Sequence, residues 1–216
     1  MKLRSKPEEK VWAAFQEQEQ LSDSQVAQFK LYRDLLEEGN KITNLTAITE
    51  LSGVVHQHFE DSLALRKFID LNTVSCIADV GCGAGFPVLP LKIMFPHLAI
   101  LLMEVNKKKQ QFLEGVITAL GLADVQVCGE DWRTFLRTSE GNVPYFVSRA
   151  ALDVVELCRI FRTTSAYRNS TMVYWASAEW QPDTKIKEFI TRVEAYKCNR
   201  KDRQLIFMQD STLKSE

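Results

Sequence analysis

The sequence predicts a doubly wound α/β domain beneath an N-terminal helical cap, with an antiparallel hairpin at one sheet edge. Three observations carry this expectation. After residue 72, short apolar runs alternate with helical segments, the pattern of a parallel sheet covered on both faces. The first seventy residues show helical spacing instead. The last two strand candidates, 191–197 and 204–208, are joined by a charged turn too short for a parallel crossover.

In chain order, Val26, Phe29, Tyr32 and Leu36 recur every three or four residues, with Ser22 or Asp23 placed to cap the helix start. Glu38, Gly39, Asn40 and Lys41 form a polar break, and a second helical patch covers 54–68. Ile77, Ala78, Asp79 and Val80 predict a first strand ending in a glycine loop. Residues 98–103 predict a second, closed by Glu104. Phe112, Leu113, Val116, Ile117 and Leu120 line one face of a helix that stops at Gly121. Further strands are expected at 125–128, 145–147 and 171–175.

With 216 residues the chain has room for one compact domain plus a small extension, divided here into a cap, 1–70, and an α/β domain, 71–216. Lys and Arg total 27 against 28 for Asp and Glu, which excludes a polycation that binds by bulk charge. Any nucleic-acid contact must then use a local basic face. Residues 1–10 lack the apolar run of a secretory signal. The apolar stretch 86–105 is interrupted by Pro87, Pro90, Lys92, Pro96 and His97, so no membrane span is expected. Five scattered cysteines without a C-x-x-C pair suit a reducing cytoplasm. A cytoplasmic monomer without bound metal is the expectation.

The sharpest feature is the run Asp79, Val80, Gly81, Cys82, Gly83, Ala84, Gly85. Glycines at a strand end allow a tight turn and close approach of backbone to a ligand. Nicotinamide dinucleotides and S-adenosylmethionine both use such loops. The dinucleotide fingerprint wants its third glycine where Phe86 stands. Asp79 would oppose a pyrophosphate but suits an α-amino group. Pro87 delays the helix whose N-terminus a pyrophosphate needs. These details favour S-adenosylmethionine. Glu104 ends the next strand, where a carboxylate can accept hydrogen bonds from both ribose hydroxyls; the alternative is a surface acid paired with lysines. Glu130, Asp131 and Trp132 follow the third strand on the same rim, where a polar group could read the adenine amino group and an indole supply a flat face, unless Trp132 is core. Arg149 ends the fourth strand, where it could fix a carboxylate or an RNA phosphate, or pair structurally with Asp79 or Glu130.

With Asn40 to Thr46, the His58-x-x-Asp61-Ser62 segment, the glycine loop followed by Phe86 and Pro87, and Ser148-Arg149-Ala150 all in order, the sequence resembles the bacterial 16S ribosomal RNA guanine-N7 methyltransferases, also called glucose-inhibited division protein B. The likeness runs from about Leu31 to Met208. It implies a Rossmann-like class I methyltransferase sheet using S-adenosyl-L-methionine, with S-adenosyl-L-homocysteine as product, and a guanine of small-subunit rRNA as acceptor. By that likeness Gly81, Phe86, Trp132, Arg133 and Arg149 fall on cofactor-contacting positions, with Asp79, Gly83, Gly85, Glu104 and Asp131 beside them. Three departures stand out. The family usually has Asp where Glu104 stands, a small residue and an acid where Trp132 and Arg133 stand, and Lys-Gly where Trp175, Ala176 and Ser177 close strand five.

Guanine N7 presents a lone pair and no proton, so its methylation needs no general base, and no acid–base pair is singled out as catalytic. Alignment of N7, methyl and sulfur supplies the rate instead. Phe86 and Trp175 are candidates for an aromatic face over the guanine, with core packing as the alternative. His58 and Asp61 share a helix face and are expected to tie cap to sheet, or to reach the methionine end of the cofactor. RNA contacts are expected from Lys107, Lys108 and Lys109 and from the C-terminal cluster Arg192, Lys197, Arg200, Lys201 and Arg203. The partner expected is 16S rRNA within the small subunit or an assembly intermediate. Two other readings remain on sequence grounds: a small-molecule or protein methyltransferase on the same scaffold, and a non-catalytic cofactor-binding module.

Overall fold

The computed structural model of the protein describes residues 6–149 and 152–210; Ala150, the last residue of the Ser-Arg-Ala segment, lies outside them. Two helices open the cap, α1 (Lys6–Glu19) and α2 (Asp23–Asn40). Ser22 starts α2 with a reciprocal capping box, in which its hydroxyl accepts from the Gln25 amide and the Gln25 side chain accepts from the Ser22 amide. That pairing satisfies two end groups that water would otherwise serve. Val26, Phe29, Tyr32 and Leu36 form the buried face of α2, as their spacing predicts.

The second helical patch begins at α3 (Leu51–Val54), passes through a π-helical turn, Val55–Glu60, and continues as α4 (Asp61–Leu63) and a 3-10 turn, Ala64–Lys67. A π turn inserts one residue into the helical repeat and re-aims the side chains beyond it. Here it lets Phe59 face inward, 4.9 Å from Phe29 and 5.6 Å from Tyr32 between ring centres. His58 points toward the sheet, with its ring 4.5 Å from that of Phe86.

Strands β1 (Cys76–Val80), β2 (Ala99–Met103), β3 (Val125–Cys128), β4 (Tyr145–Arg149) and β5 (Thr171–Ser177) are parallel. Helices α5 (Val88–Met94), α6 (Lys107–Leu120), α7 (Trp132–Thr138) and α8 (Val154–Leu157) cross between them. The sheet order is β3-β2-β1-β4-β5-β7-β6, so the chain reverses its direction of travel between β1 and β4. Ligands of such open sheets bind beyond the carboxyl ends of the strands at that reversal. Strands β6 (Ile190–Cys198) and β7 (Lys201–Met208) form the expected hairpin, with β7 antiparallel to β5 and β6 outermost. Both are longer than their apolar runs suggest. Asn199, at φ 52, closes the turn tightly enough for pairing to continue to Cys198 and Lys201.

One core joins the cap to a face of the sheet: Phe29, Tyr32 and Phe59 are buried with Ile77, Leu89, Leu113 and Val147. The other face packs Val80, Trp132, Phe146, Leu157 and Met208. The five cysteines are free thiols. Among the described residues, no helix is long and apolar enough to cross a membrane.

Candidate functional site

Parallel register aligns the strand ends into one rim. Val80 pairs with Met103 and Met103 with Cys128, while Asp79 pairs with Val147 on the other side. Gly81, Glu104, Glu130 and Arg149 therefore emerge on the same edge. A cleft of about 510 Å³ opens there, its floor formed by Gly81, Cys82 and Gly83 and its sides by Glu104, Asp131, Trp132, Arg133 and Arg149. Phe86, His58 and Lys109 also reach it, as do Leu45, from the Asn40 to Thr46 segment, and Met103, Val105 and Leu152, whose apolar side chains carry no motif in the sequence.

Gly83 and Gly85 have different duties. Gly83 has φ 58, and a Cβ there would meet nothing within 4 Å, so the turn presents bare backbone to open space. Gly85 has φ 93, and a Cβ would come within 2.5 Å of Leu89 and 2.8 Å of the Tyr32 hydroxyl. Gly85 is thus a packing requirement. Tyr32 donates a 2.5 Å hydrogen bond to the Ala84 carbonyl and stacks on Phe86 at 5.3 Å, so α2 holds the loop in shape. Pro87 precedes α5, which begins only at Val88.

Glu104 is buried and does not pair with a lysine. Its Oε2 accepts from the Gly83 amide at 3.1 Å and its Oε1 from the Asn106 amide at 2.9 Å. Two fixed donors orient the carboxylate before any ligand arrives. Asp79 is fully buried behind the turn rather than lining the cleft, and neither oxygen has a hydrogen-bond partner of acceptable geometry. Burial pushes its carboxyl well above the usual carboxylate range; Arg149 and the nearby Val88 amide act in the opposite direction and are outweighed. A buried carboxylate without a hydrogen-bond partner is suited to take a cation or a donor.

The third-strand side of the rim is already paired. Asp131 caps α7 by accepting from the Arg133 amide at 2.9 Å. Arg133 is shared between Asp131 at 3.2 Å and Glu156 at 3.0 Å. Trp132 packs in the core with only 4% exposure, yet its indole Nε1 lacks a hydrogen-bond acceptor.

Arg149 pairs with neither Asp79 nor Glu130. It reaches Asp61 at 3.1 Å, the Gln57 carbonyl at 3.2 Å and His58 Nδ1 at 3.2 Å. His58 and Asp61 thus tie cap to sheet through Arg149 rather than through each other. A guanidinium only donates, so His58 Nδ1 accepts, and Nε2 carries the proton it gives to Thr46 Oγ1 at 2.7 Å. Burial, then Arg149, lower the His58 pKa to about 3 despite Asp61. Asp61 also accepts from the Tyr196 hydroxyl at 2.7 Å and from Arg203 at 3.2 Å. Arg203, among the residues expected to contact RNA, is held in place by this carboxylate and stays partly exposed. Two further members of the C-terminal cluster face acids, Arg192 with Glu194 at 3.4 Å and Lys197 with Asp202 at 3.4 Å.

Trp175 does not reach the cleft. It is 2% exposed, with its Nε1 donating to the Asp61 carbonyl at 2.9 Å. Phe86 lines the cleft, but its ring already stacks on His58 and Tyr32 and has the Arg149 guanidinium 5.2 Å from its centre. Neither ring is free as a platform for guanine. Lys107 and Lys108 are exposed in the first turn of α6, and Lys109 alone of the three lines the cleft. Arg200 and Lys201 are exposed at the hairpin turn.

Residues 25–206 match the family described as rRNA small subunit methyltransferase G, or GidB. The chain belongs to this family. Methyltransferase G of Geobacillus kaustophilus is 48% identical over 117 residues, which cover 54% of this chain and 49% of that protein. Methyltransferase G of Bacillus subtilis is 45% identical over 130 residues, covering 60% and 54% respectively. The chain spans about half the length of the curated relatives it matches. Two solved structures share the fold at low identity. MtNAS in complex with MTA and tNA aligns at a TM-score of 0.58 and 14% identity, over 92% of this chain and 81% of that one. TrmK of M. capricolum, in complex with S-adenosyl-homocysteine, aligns at 0.53 and 12%, over 69% and 67%. The fold these structures share with the chain is a Rossmann-like α/β sheet, and the family match makes it a methyltransferase sheet. The structure gives Glu104, Trp132, Arg133 and Trp175 each a local role: a preset carboxylate, a packed ring, a bridging guanidinium and a buried anchor.

Proposed function

We propose that this chain binds S-adenosylmethionine over the Gly81–Gly85 turn and transfers its methyl group to N7 of a guanine in 16S rRNA, within the small subunit or one of its assembly intermediates. Most weight rests on one arrangement. Beside bare glycine backbone, the Glu104 carboxylate is preset by two amides, while the Asp79 carboxylate behind the turn has no partner. The first suits a ribose diol. The second suits an ammonium, whose charge would stabilise the anion that burial now disfavours. A pyrophosphate over the turn would instead meet the Glu104 carboxylate, which argues against a dinucleotide.

The bound donor supplies an electrophilic methyl carbon. What remains for the protein is to place an acceptor nitrogen in line with it and exclude water, worth up to about 7–11 kcal/mol in well-oriented systems. His58 is no base for such a step: it is neutral near pH 7 and both ring nitrogens are engaged. Guanine N7 needs none. An amine acceptor, protonated in water, would. Lys107, Lys108 and Lys109 add to the positive end of the α6 dipole, so the rim beside Glu104 attracts a polyanion.

The test is methyl transfer from labelled donor to 16S rRNA and to small subunits from cells lacking the modification, followed by digestion to nucleosides. Label in 7-methylguanosine, with none on free guanosine, is the expected result. Label confined to a metabolite or protein fraction overturns the proposal, as does donor binding without transfer to any fraction.

A further inference from the structure

A second cavity, of about 350 Å³, lies between the π turn and the β6–β7 hairpin. Its walls include Gln57, His58, Asp61, Arg149, Lys201 and Arg203. His58 and Arg149 also wall the main cleft, so the two spaces meet across one pair of side chains. Its charges do not cancel. Asp61 is the single carboxylate, and its two oxygens are filled by four donors: Tyr196 Oη, Arg149 Nη1, and Arg203 Nε and Nη2. Two guanidinium groups thus share one acid. Lys201 adds a third cation, and its Nζ meets the neutral side-chain carbonyl of Gln57 at 2.6 Å. His58, neutral and accepting from Arg149, removes none of the excess. A cavity with two surplus positive charges favours an anion, and guanidinium forks match phosphate oxygens in shape.

We propose that this cavity is a phosphate subsite that holds a backbone phosphodiester of the acceptor strand while the target base occupies the adjoining cleft. The inference rests on the RNA-methylating reading above and names where the strand is gripped. Shared walls decide for RNA over a free anion, because a ligand here lies one side chain from the transfer site. Exposed Arg200 at the hairpin turn extends the same positive edge outward.

Lys201 is exposed at the end of its strand, so its replacement leaves the buried network intact. Wild type, Lys201→Ala, Lys201→Glu and Lys201→Arg are compared for S-adenosylmethionine binding by calorimetry and for 16S rRNA binding across a salt series. Loss of one phosphate contact lowers the magnitude of the log–log salt slope by about 0.7 to 1. The expected result is therefore about three- to tenfold weaker RNA binding near 0.1 M salt for Lys201→Ala. Lys201→Glu should be weaker still and Lys201→Arg near wild type, with donor affinity constant throughout. Unchanged RNA affinity and slope in the alanine and glutamate variants overturn the inference. So does millimolar inorganic phosphate that binds wild type but not Lys201→Glu and leaves RNA binding undisturbed, since the site then serves a free anion. Failure of the underlying reading looks different: wild-type protein then methylates no RNA at all.

Discussion

In the proposed function donor binding turns on Glu104, whose carboxylate is held by the Gly83 and Asn106 amides. Charge reversal, Glu104→Lys, should raise the donor dissociation constant by at least about tenfold, the scale of a lost hydrogen bond to a charged group. An unchanged constant in calorimetry removes Glu104 from the site. Gly85 tests the loop's packing. Gly85→Ala places a methyl 2.5 Å from Leu89 at a φ of 93, and should cost about 1–3 kcal/mol in denaturant unfolding. His58 gives a pH signature. Its folded pKa of about 3 lies below the unfolded value of 6.5, so the unfolded chain binds the extra proton between them. Its contribution is complete above pH 6.5 and is lost as pH falls toward 3, at up to about 1.4 kcal/mol per pH unit. Replacing His58 with Gln should flatten the unfolding free energy over that window, and an unaltered slope would show that another group titrates there. The sequence shows that His58, Asp61 and Arg149 are polar residues at element ends. It does not show that they meet, because the pairings span 88 to 142 positions along the chain.

Strands β1 to β5 were legible because strands covered on both faces are short and mostly apolar, and such runs recur between Cys76 and Ser177; β3, at the edge, carries an exposed residue, Gln126, within its run. The π turn was not. Its sequence, Val55 to Glu60, carries an ordinary helical pattern, and the extra residue is fixed by the inward demand of Phe59 against Phe29 and Tyr32. The hairpin was legible as a hairpin but not in its role of closing the Asp61 network. Tyr196 on β6 and Arg203 on β7 converge on that carboxylate from adjacent strands, at paired register. Asp61→Asn should therefore destabilise the fold by about 3–5 kcal/mol, because two guanidinium groups lose their shared acid in a buried setting. The denaturant midpoint measures this, and a shift below about 1 kcal/mol would mean that the network is solvated and weak.

At the scale of the molecule, the cap and sheet share a core, and the cap's side chains shape the cleft from above: Tyr32 fixes the glycine loop, Phe86 rests on Tyr32 and His58, and His58 holds Arg149. The cleft's position followed from the sequence through the glycine run and the acid closing the next strand. Its contents followed less fully, since Trp175 is drawn away from it by the Asp61 carbonyl, a partner distant in sequence. The net charge of -1 conceals an uneven distribution, with lysines at the start of α6 and cations around the second cavity on either side of the cleft. The most direct measurement is a crystal structure with S-adenosylmethionine or its demethylated product bound. The account predicts both ribose hydroxyls on the Glu104 carboxylate, the adenosyl group over Gly81 to Gly83, and the amino end directed toward Asp79. A donor seated away from this turn, or one whose ribose does not touch Glu104, would contradict it.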